Sequence, residues 1–122
     1  MRYFLERLKL RTIWSWNGVV ATWRSEHSFR TWVWANAVSV LLALWLPLSS
    51  GERALILALG VLVLAAELFN TAIERAVDYI STEHHELAGQ AKDAGSAGVA
   101  VTAIAAGVVW VVVLVRMVGG AG

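Results

Sequence analysis

The run AGSAGVAVTAIAAGVVWVVVLV, residues 94–115, carries no charged side chain and decides the fold class. Wound as an α-helix at 1.5 Å per residue, it rises about 33 Å. That is enough to cross a bilayer core of roughly 30 Å unaided. Two further runs repeat the theme. Thr31 to Leu48 is uncharged, contains Trp32, Trp34 and Trp45, and ends at Pro47 before the turn-forming Ser49, Ser50 and Gly51. Ala54 to Ala66 is also uncharged, but its helical composition continues through Glu67, Asn70 and Glu74 to about Ile80. This run reaches spanning length only if its charged half lies in or at the membrane. Composition agrees. Of 122 residues, 58% are hydrophobic and 16% charged, against roughly 25% charged in an ordinary globular chain, and the mean hydropathy is +0.63. Cysteine is absent and there is one proline, which argues against a disulfide scaffold or a linker-rich chain. A net charge of +1 provides no general drive toward nucleic acid. The expectation is one integral-membrane, all-α domain over residues 1–122, with a surface helix over about 1–28 and spans over 30–48, 53–80 and 93–117.

The segment before the first span interleaves Arg2, Arg7, Lys9, Arg11, Arg24 and Arg30 with Tyr3, Phe4, Leu5, Leu8, Trp14, Trp16 and Trp23. Basic and aromatic residues at helical spacing suit a helix lying in the headgroup layer. The positive charge on that side predicts a cytoplasmic N-terminus, an outer turn near Ser49 to Arg53, and a cytoplasmic loop from Tyr79 to Lys92. In the third span, Ser96, Ala100, Ala103 and Gly107 form one small-residue stripe and Gly98, Thr102 and Ala106 another. Small residues at this spacing allow close helix packing in lipid, so self-association is expected.

Glu67, Asn70, Glu74 and Asp78 are separated by three, four and four residues. At about 100° per residue they project within roughly 80° of one another along about 16 Å of helix. Ionised carboxylates in a membrane cost a few kcal/mol each even on lenient scales, so the ridge must face protein, water or a bound cation. Acids and an amide on one face suit magnesium, which takes one or two carboxylates together with phosphate oxygens and water. A carboxylate in an apolar setting also suits a general base. Glu26 and Asp93 could join from the same side, and Lys92 offers a cation for a phosphate. The plainer reading is an ion pair with Arg75 or another base, or a passive polar interface between subunits. Glu83, His84, His85 and Glu86 occupy the loop. The two histidines are adjacent and so do not share a helical face as a zinc helix requires. No P-loop or protein-kinase motif set occurs.

The run Glu67-Leu68-Phe69-Asn70-Thr71-Ala72-Ile73-Glu74-Arg75-Ala76-Val77-Asp78 resembles the signature of the bacterial integral-membrane diacylglycerol kinases: E, two residues, N, S/T, A, an aliphatic residue, E, two residues, V, D. Glu83-His84-His85-Glu86-Leu87, then Gly89 and Ala91 to Ala97, form a second matching block. Ser15-Trp16-Asn17-Gly18, Trp23, Glu26 and Phe29-Arg30 recur at the family's spacing. The resemblance implies a surface helix plus three spans per subunit, assembled as a homotrimer in the bacterial inner membrane. The implied reaction is phosphorylation of the free hydroxyl of diacylglycerol by magnesium-ATP, giving phosphatidic acid at the cytoplasmic surface. Carried over, Glu67 is the general base, and Glu26 and Glu74 hold Mg²⁺ and nucleotide phosphates. Arg7, Trp14, Asp78, Glu83, His84, His85, Lys92 and Asp93 are implied on the nucleotide. Asn70, Ser96, Ser15, Trp16, Trp23, Phe29 and Arg30 are implied with Glu67 on the lipid side. The chain departs from the pattern at Asn17, where a basic residue is common, and at Trp32, where an acid is. A sister branch with the same signature phosphorylates undecaprenol; the block from His85 to Ser96 is closer to the diacylglycerol branch. From other classes, an ion-pathway subunit would need polar groups along the whole span, which Ala54 to Ala66 does not offer, and a structural assembly factor would need no carboxylate chemistry.

Overall fold

The computed structural model describes residues 1–120. Among these the chain is entirely helical, with four helices in the order α1 (Arg2–Ser25), α2 (His27–Trp45), α3 (Ser50–Ile80) and α4 (Glu86–Gly119). α3 and α4, at 31 and 34 residues, are long and apolar enough to cross a membrane. α2 is shorter, at 19 residues, and rises about 28 Å. It carries Arg30, Asn36 and Ser39 within its length.

The helix ends differ from the sequence expectation in two instructive ways. α1 stops at Ser25 because Glu26 adopts extended backbone geometry (φ −108°, ψ 110°) and serves as the N-cap of α2. No proline or glycine marks this break. α4 begins seven residues before the expected span, at Glu86, because Glu86 to Lys92 are helix-compatible although too polar for lipid. Its N-cap is His85, whose Nδ1 accepts from the Leu87 N–H at 3.1 Å.

The far end of the molecule is tied by its turn. Ser49 caps α3 by accepting from the Glu52 N–H at 3.2 Å, and a Ser or Thr N-cap with Glu three residues on is a capping-box sequence. Arg53 reaches back to α2, donating through Nε to the Ala43 carbonyl at 2.8 Å and through Nη2 to the Leu46 carbonyl at 3.3 Å. The Ala43 carbonyl lacks an intrahelical partner because Pro47 has no N–H, whereas the carbonyl of the C-cap Leu46 also accepts from the Leu48 N–H at 2.9 Å. Ala43, Leu48, Ile56 and Val113 form the buried cluster beside this pin. Arg116 pairs with Glu52 at 2.9 Å across α4 and α3. Lower down, the Trp110 indole donates to Ser39 Oγ at 2.9 Å, tying α4 to α2.

A compact soluble chain of 13.3 kDa exposes about 6,450 Å²; this one exposes 8903 Å². Much of the excess is apolar, including Leu41, Leu44, Val61, Phe69, Val101, Ile104 and Val111. α1 buries only Thr22. Such a surface needs lipid or further protein to cover it.

Candidate active site

The break at Glu26 is held from both sides. Arg30 Nη1 donates to the Trp23 carbonyl at 2.6 Å and the Arg24 carbonyl at 3.3 Å, which caps the C-terminus of α1. Arg75, from α3, donates to Ser25 Oγ. Ser25 Oγ in turn donates to Glu26 Oε1 at 3.3 Å. The arginine that the sequence offered as a partner for the acidic ridge thus engages the junction instead.

Glu67 faces inward from the middle of α3 and is only 4% exposed. Ser28 Oγ, on the first turn of α2, donates to Glu67 Oε2 at 3.2 Å. The Trp32 side chain, one turn along α2, lies beside the same carboxylate, and Glu74 and Glu26 are the acids whose charge reaches it. Among the described residues none of Glu26, Glu67 and Glu74 takes part in an ion pair. Thr71, buried at 3% exposure, continues the face below Glu67. Asn70 Nδ2 donates to Glu74 Oε1 at 3.3 Å.

This donor set fits a hard divalent cation. Three carboxylates without a basic partner among the described residues leave uncompensated negative charge, and oxygen is the donor type magnesium selects. Among the described residues no three His, Cys, Asp or Glu side chains converge into a cage of their own. One or two carboxylates completed by substrate phosphates is the usual magnesium arrangement.

Toward the loop, Lys92 of α4 pairs with Asp78 of α3 at 2.6 Å. A cavity of about 200 Å³ opens beside this pair, lined by Asp78, Glu83, His84, His85 and Lys92 among others. Five of the ten residues expected on the nucleotide, Asp78, Glu83, His84, His85 and Lys92, therefore line one cavity. Asp93 and Ser96 lie exposed on α4.

The remaining expected residues are dispersed. Arg7 stacks over the Tyr3 ring at 5.7 Å and donates to the Tyr3 hydroxyl at 3.1 Å. Eighteen positions of α1 separate it from Ser25, which is about 27 Å of helix. Trp14, Ser15 and Trp16 are exposed along the same helix. Trp23 meets Trp34 edge to face at 6.4 Å. Phe29 is buried at 3% exposure next to the junction, and Arg30 serves the α1 cap.

Ser28 is the site residue that sequence reasoning missed. A lone serine near Glu26 carries no signal, because its role depends on how α2 lies against α3. Ser28→Ala should lower kcat about tenfold, the usual scale for losing one hydrogen bond to a charged group. The KM for ATP should stay near its wild-type value, and steady-state kinetics in mixed micelles checks both.

Residues 13–114 match the family described as prokaryotic diacylglycerol kinase, a segment that includes Glu26, Glu67, Glu74 and Lys92 and leaves out Arg7. The diacylglycerol kinase of Escherichia coli K12 is 41% identical over 100 residues, covering 82% of each chain. That of Pseudomonas aeruginosa is 42% identical over 110 residues, covering 90% of this chain and 89% of its own. That of Helicobacter pylori is 36% identical over 92 residues, covering 75% and 72%. With the family matched across most of its length and the acidic ridge folded as described, the chain belongs to the prokaryotic diacylglycerol kinases.

Proposed function

We infer that the protein is a diacylglycerol kinase that transfers the γ-phosphoryl group of ATP to the free hydroxyl of diacylglycerol, giving phosphatidic acid and ADP. The observation that carries this reading is the buried Glu67 carboxylate, held by Ser28 and unpaired with any base. It is placed as a general base must be: shielded from bulk water, oriented by a neighbour, and open to a substrate proton. Glu67 takes the proton of the lipid hydroxyl as its oxygen bonds to the γ-phosphorus and the bond to the ADP oxygen breaks. Lys92 offers charge to the phosphates, and Asp78 holds its ammonium in place. Glu83, His84 and His85 border the adjoining cavity and would flank the nucleoside. Glu26 and Glu74 would hold Mg²⁺. When bound, the ion supplies the charge neutralisation on which phosphoryl transfer depends.

The same reading places α1 on the cytoplasmic membrane surface, with α2, α3 and α4 as three spans and the enzyme in the bacterial inner membrane. Lys and Arg crowd the α1 side, and the turn near Arg53 is short. Self-assembly into a homotrimer would cover part of the apolar surface that one chain leaves open. Arg7 and Trp14, far from the ridge along α1, would approach a nucleotide only if α1 of one subunit neighbours the loop of another. Asn70, Ser96, Ser15, Trp16, Trp23, Phe29 and Arg30 would border the path of the lipid.

Competition between diacylglycerol and undecaprenol in mixed micelles with magnesium-ATP tests the substrate. Phosphatidic acid should dominate the products. Preferential formation of undecaprenyl phosphate would overturn the assignment and move the protein to the sister branch. Nucleotide-independent ion flux in liposomes, without lipid phosphorylation, would overturn the kinase reading itself.

A further inference from the structure

Two buried side-chain atoms lack a hydrogen-bond partner among the described residues, Asn36 Oδ1 and Asn70 Oδ1. Each lies against a glycine of the neighbouring helix. A Cβ added at Gly60 would overlap Asn36 Oδ1, and one added at Gly95 would overlap Asn70 Oδ1. The hypothetical Gly95 Cβ would also stand 3.4 Å from Asn70 Cγ and 3.5 Å from Ile73 Cδ1. An amide oxygen set against a glycine Cα accepts only a weak C–H contact, so neither pairing is explained by strong bonding.

The two pairs differ in what the other end of the amide does. No acid neighbours Asn36 on α2 in sequence or by hydrogen bond, whereas Asn70 Nδ2 donates to Glu74 Oε1. That bond also fixes the amide's orientation. A flipped amide would turn its oxygen toward the carboxylate and lose the bond. The colliding atom at Gly95 is the tip of a rotatable side chain. A methyl there would swing the Asn70 amide away rather than force the helices apart.

We propose that Gly95 is a positioning residue for Glu74. Its bare Cα lets the Asn70 amide lie flat against α4, and the amide in turn aims its N–H at the Glu74 carboxylate. α4 thereby sets the geometry of an acid with which it shares no hydrogen bond or ion pair among the described residues. The inference rests on the reading that Glu74 helps hold the divalent ion.

The experiment titrates Mn²⁺ into the full-length protein in detergent micelles with a non-hydrolysable ATP analogue. Bound ion is read by electron paramagnetic resonance, and the Mg²⁺ dependence of turnover is measured alongside. Gly95→Ala should weaken Mn²⁺ binding tenfold to a hundredfold, the usual cost of losing a group that orients a metal ligand. Gly98→Ala, at a glycine with open space around it, and Gly60→Ala, at the pair remote from the acids, should bind Mn²⁺ as the wild type does. Asn70→Ala should match the Gly95→Ala loss, and the double variant should be no worse than Asn70→Ala alone, since residues acting through one another are not additive. Additive losses, or wild-type Mn²⁺ affinity in Gly95→Ala while Glu74→Gln binds weakly, would overturn the proposal and leave the role of Glu74 standing. Unchanged Mn²⁺ affinity in Glu74→Gln would overturn that underlying role, and the proposal with it. If Gly95→Ala does not fold, Asn70→Ala still tests the amide: wild-type Mn²⁺ affinity there while Glu74→Gln binds weakly, or a double variant weaker than Asn70→Ala, would overturn the proposal, and a loss in Asn70→Ala that the double variant does not deepen supports it.

Discussion

Glu67→Gln is expected to lower turnover of diacylglycerol by about 10²–10⁴-fold, the range that a positioned general base contributes. The substitution is close to isosteric, and the glutamine Oε1 can still accept from Ser28 Oγ, so α2 and α3 keep their register at this point. What disappears is the capacity to take a proton. The nucleotide side is built from other residues, with Lys92 and Asp78 near the loop, so the KM for ATP should remain close to that of the wild type. Phosphatidate formation from labelled ATP in mixed micelles measures the first quantity, and its dependence on ATP concentration the second. Full turnover in the variant would remove Glu67 from the role of base. A rise in the KM for ATP as large as the fall in kcat would instead place its contribution in binding.

Arg53→Met should produce the largest loss of stability, with little change in the rate measured at permissive temperature. The guanidinium satisfies the carbonyls of Ala43 and Leu46 at the end of α2, and Ala43 is fully buried. Methionine keeps the aliphatic stem but strands the Ala43 carbonyl away from water, while the Leu46 carbonyl keeps the Leu48 N–H at 2.9 Å. Losing hydrogen bonds from a charged donor and orphaning a buried carbonyl costs roughly 2–4 kcal/mol. The corresponding fall in Tm is on the order of 10 °C. Fourteen positions separate Arg53 from Glu67 along α3, about 21 Å, so the effect should stay out of the chemistry. Thermal unfolding in a fixed detergent, paired with initial rates at low temperature, separates the two. An unchanged Tm would mean that water or detergent headgroups replace the arginine at those carbonyls.

The acidic ridge was legible because helical spacing alone brings Glu67, Asn70, Glu74 and Asp78 onto one face. The cost of burying charge then leaves few uses for it. Family signature residues along that ridge made the chemistry legible too. What could not be read depends on the register between helices. Nothing in the composition of α2 distinguishes Ser28, which reaches Glu67, from Ser39, which reaches Trp110. Arg75 sits beside Glu74 in sequence, yet helical geometry sends it to Ser25 on another helix. The break between α1 and α2 falls at Glu26, about three residues before the expected end of the surface helix, because no proline or glycine marks the residue whose backbone turns extended. The family resemblance puts Arg30 on the lipid side; its cap on α1 follows only from the break at Glu26, which sets the Trp23 and Arg24 carbonyls within its reach.

The large area left uncovered by a single chain carries a practical corollary. Whatever shields it, whether amphiphile or sister chains, binds the folded form and so enters the free energy of unfolding by mass action. A denaturation midpoint for this protein belongs to a specified dilution and a specified micelle, and two laboratories working at different protein-to-surfactant ratios should record different values for one and the same polypeptide.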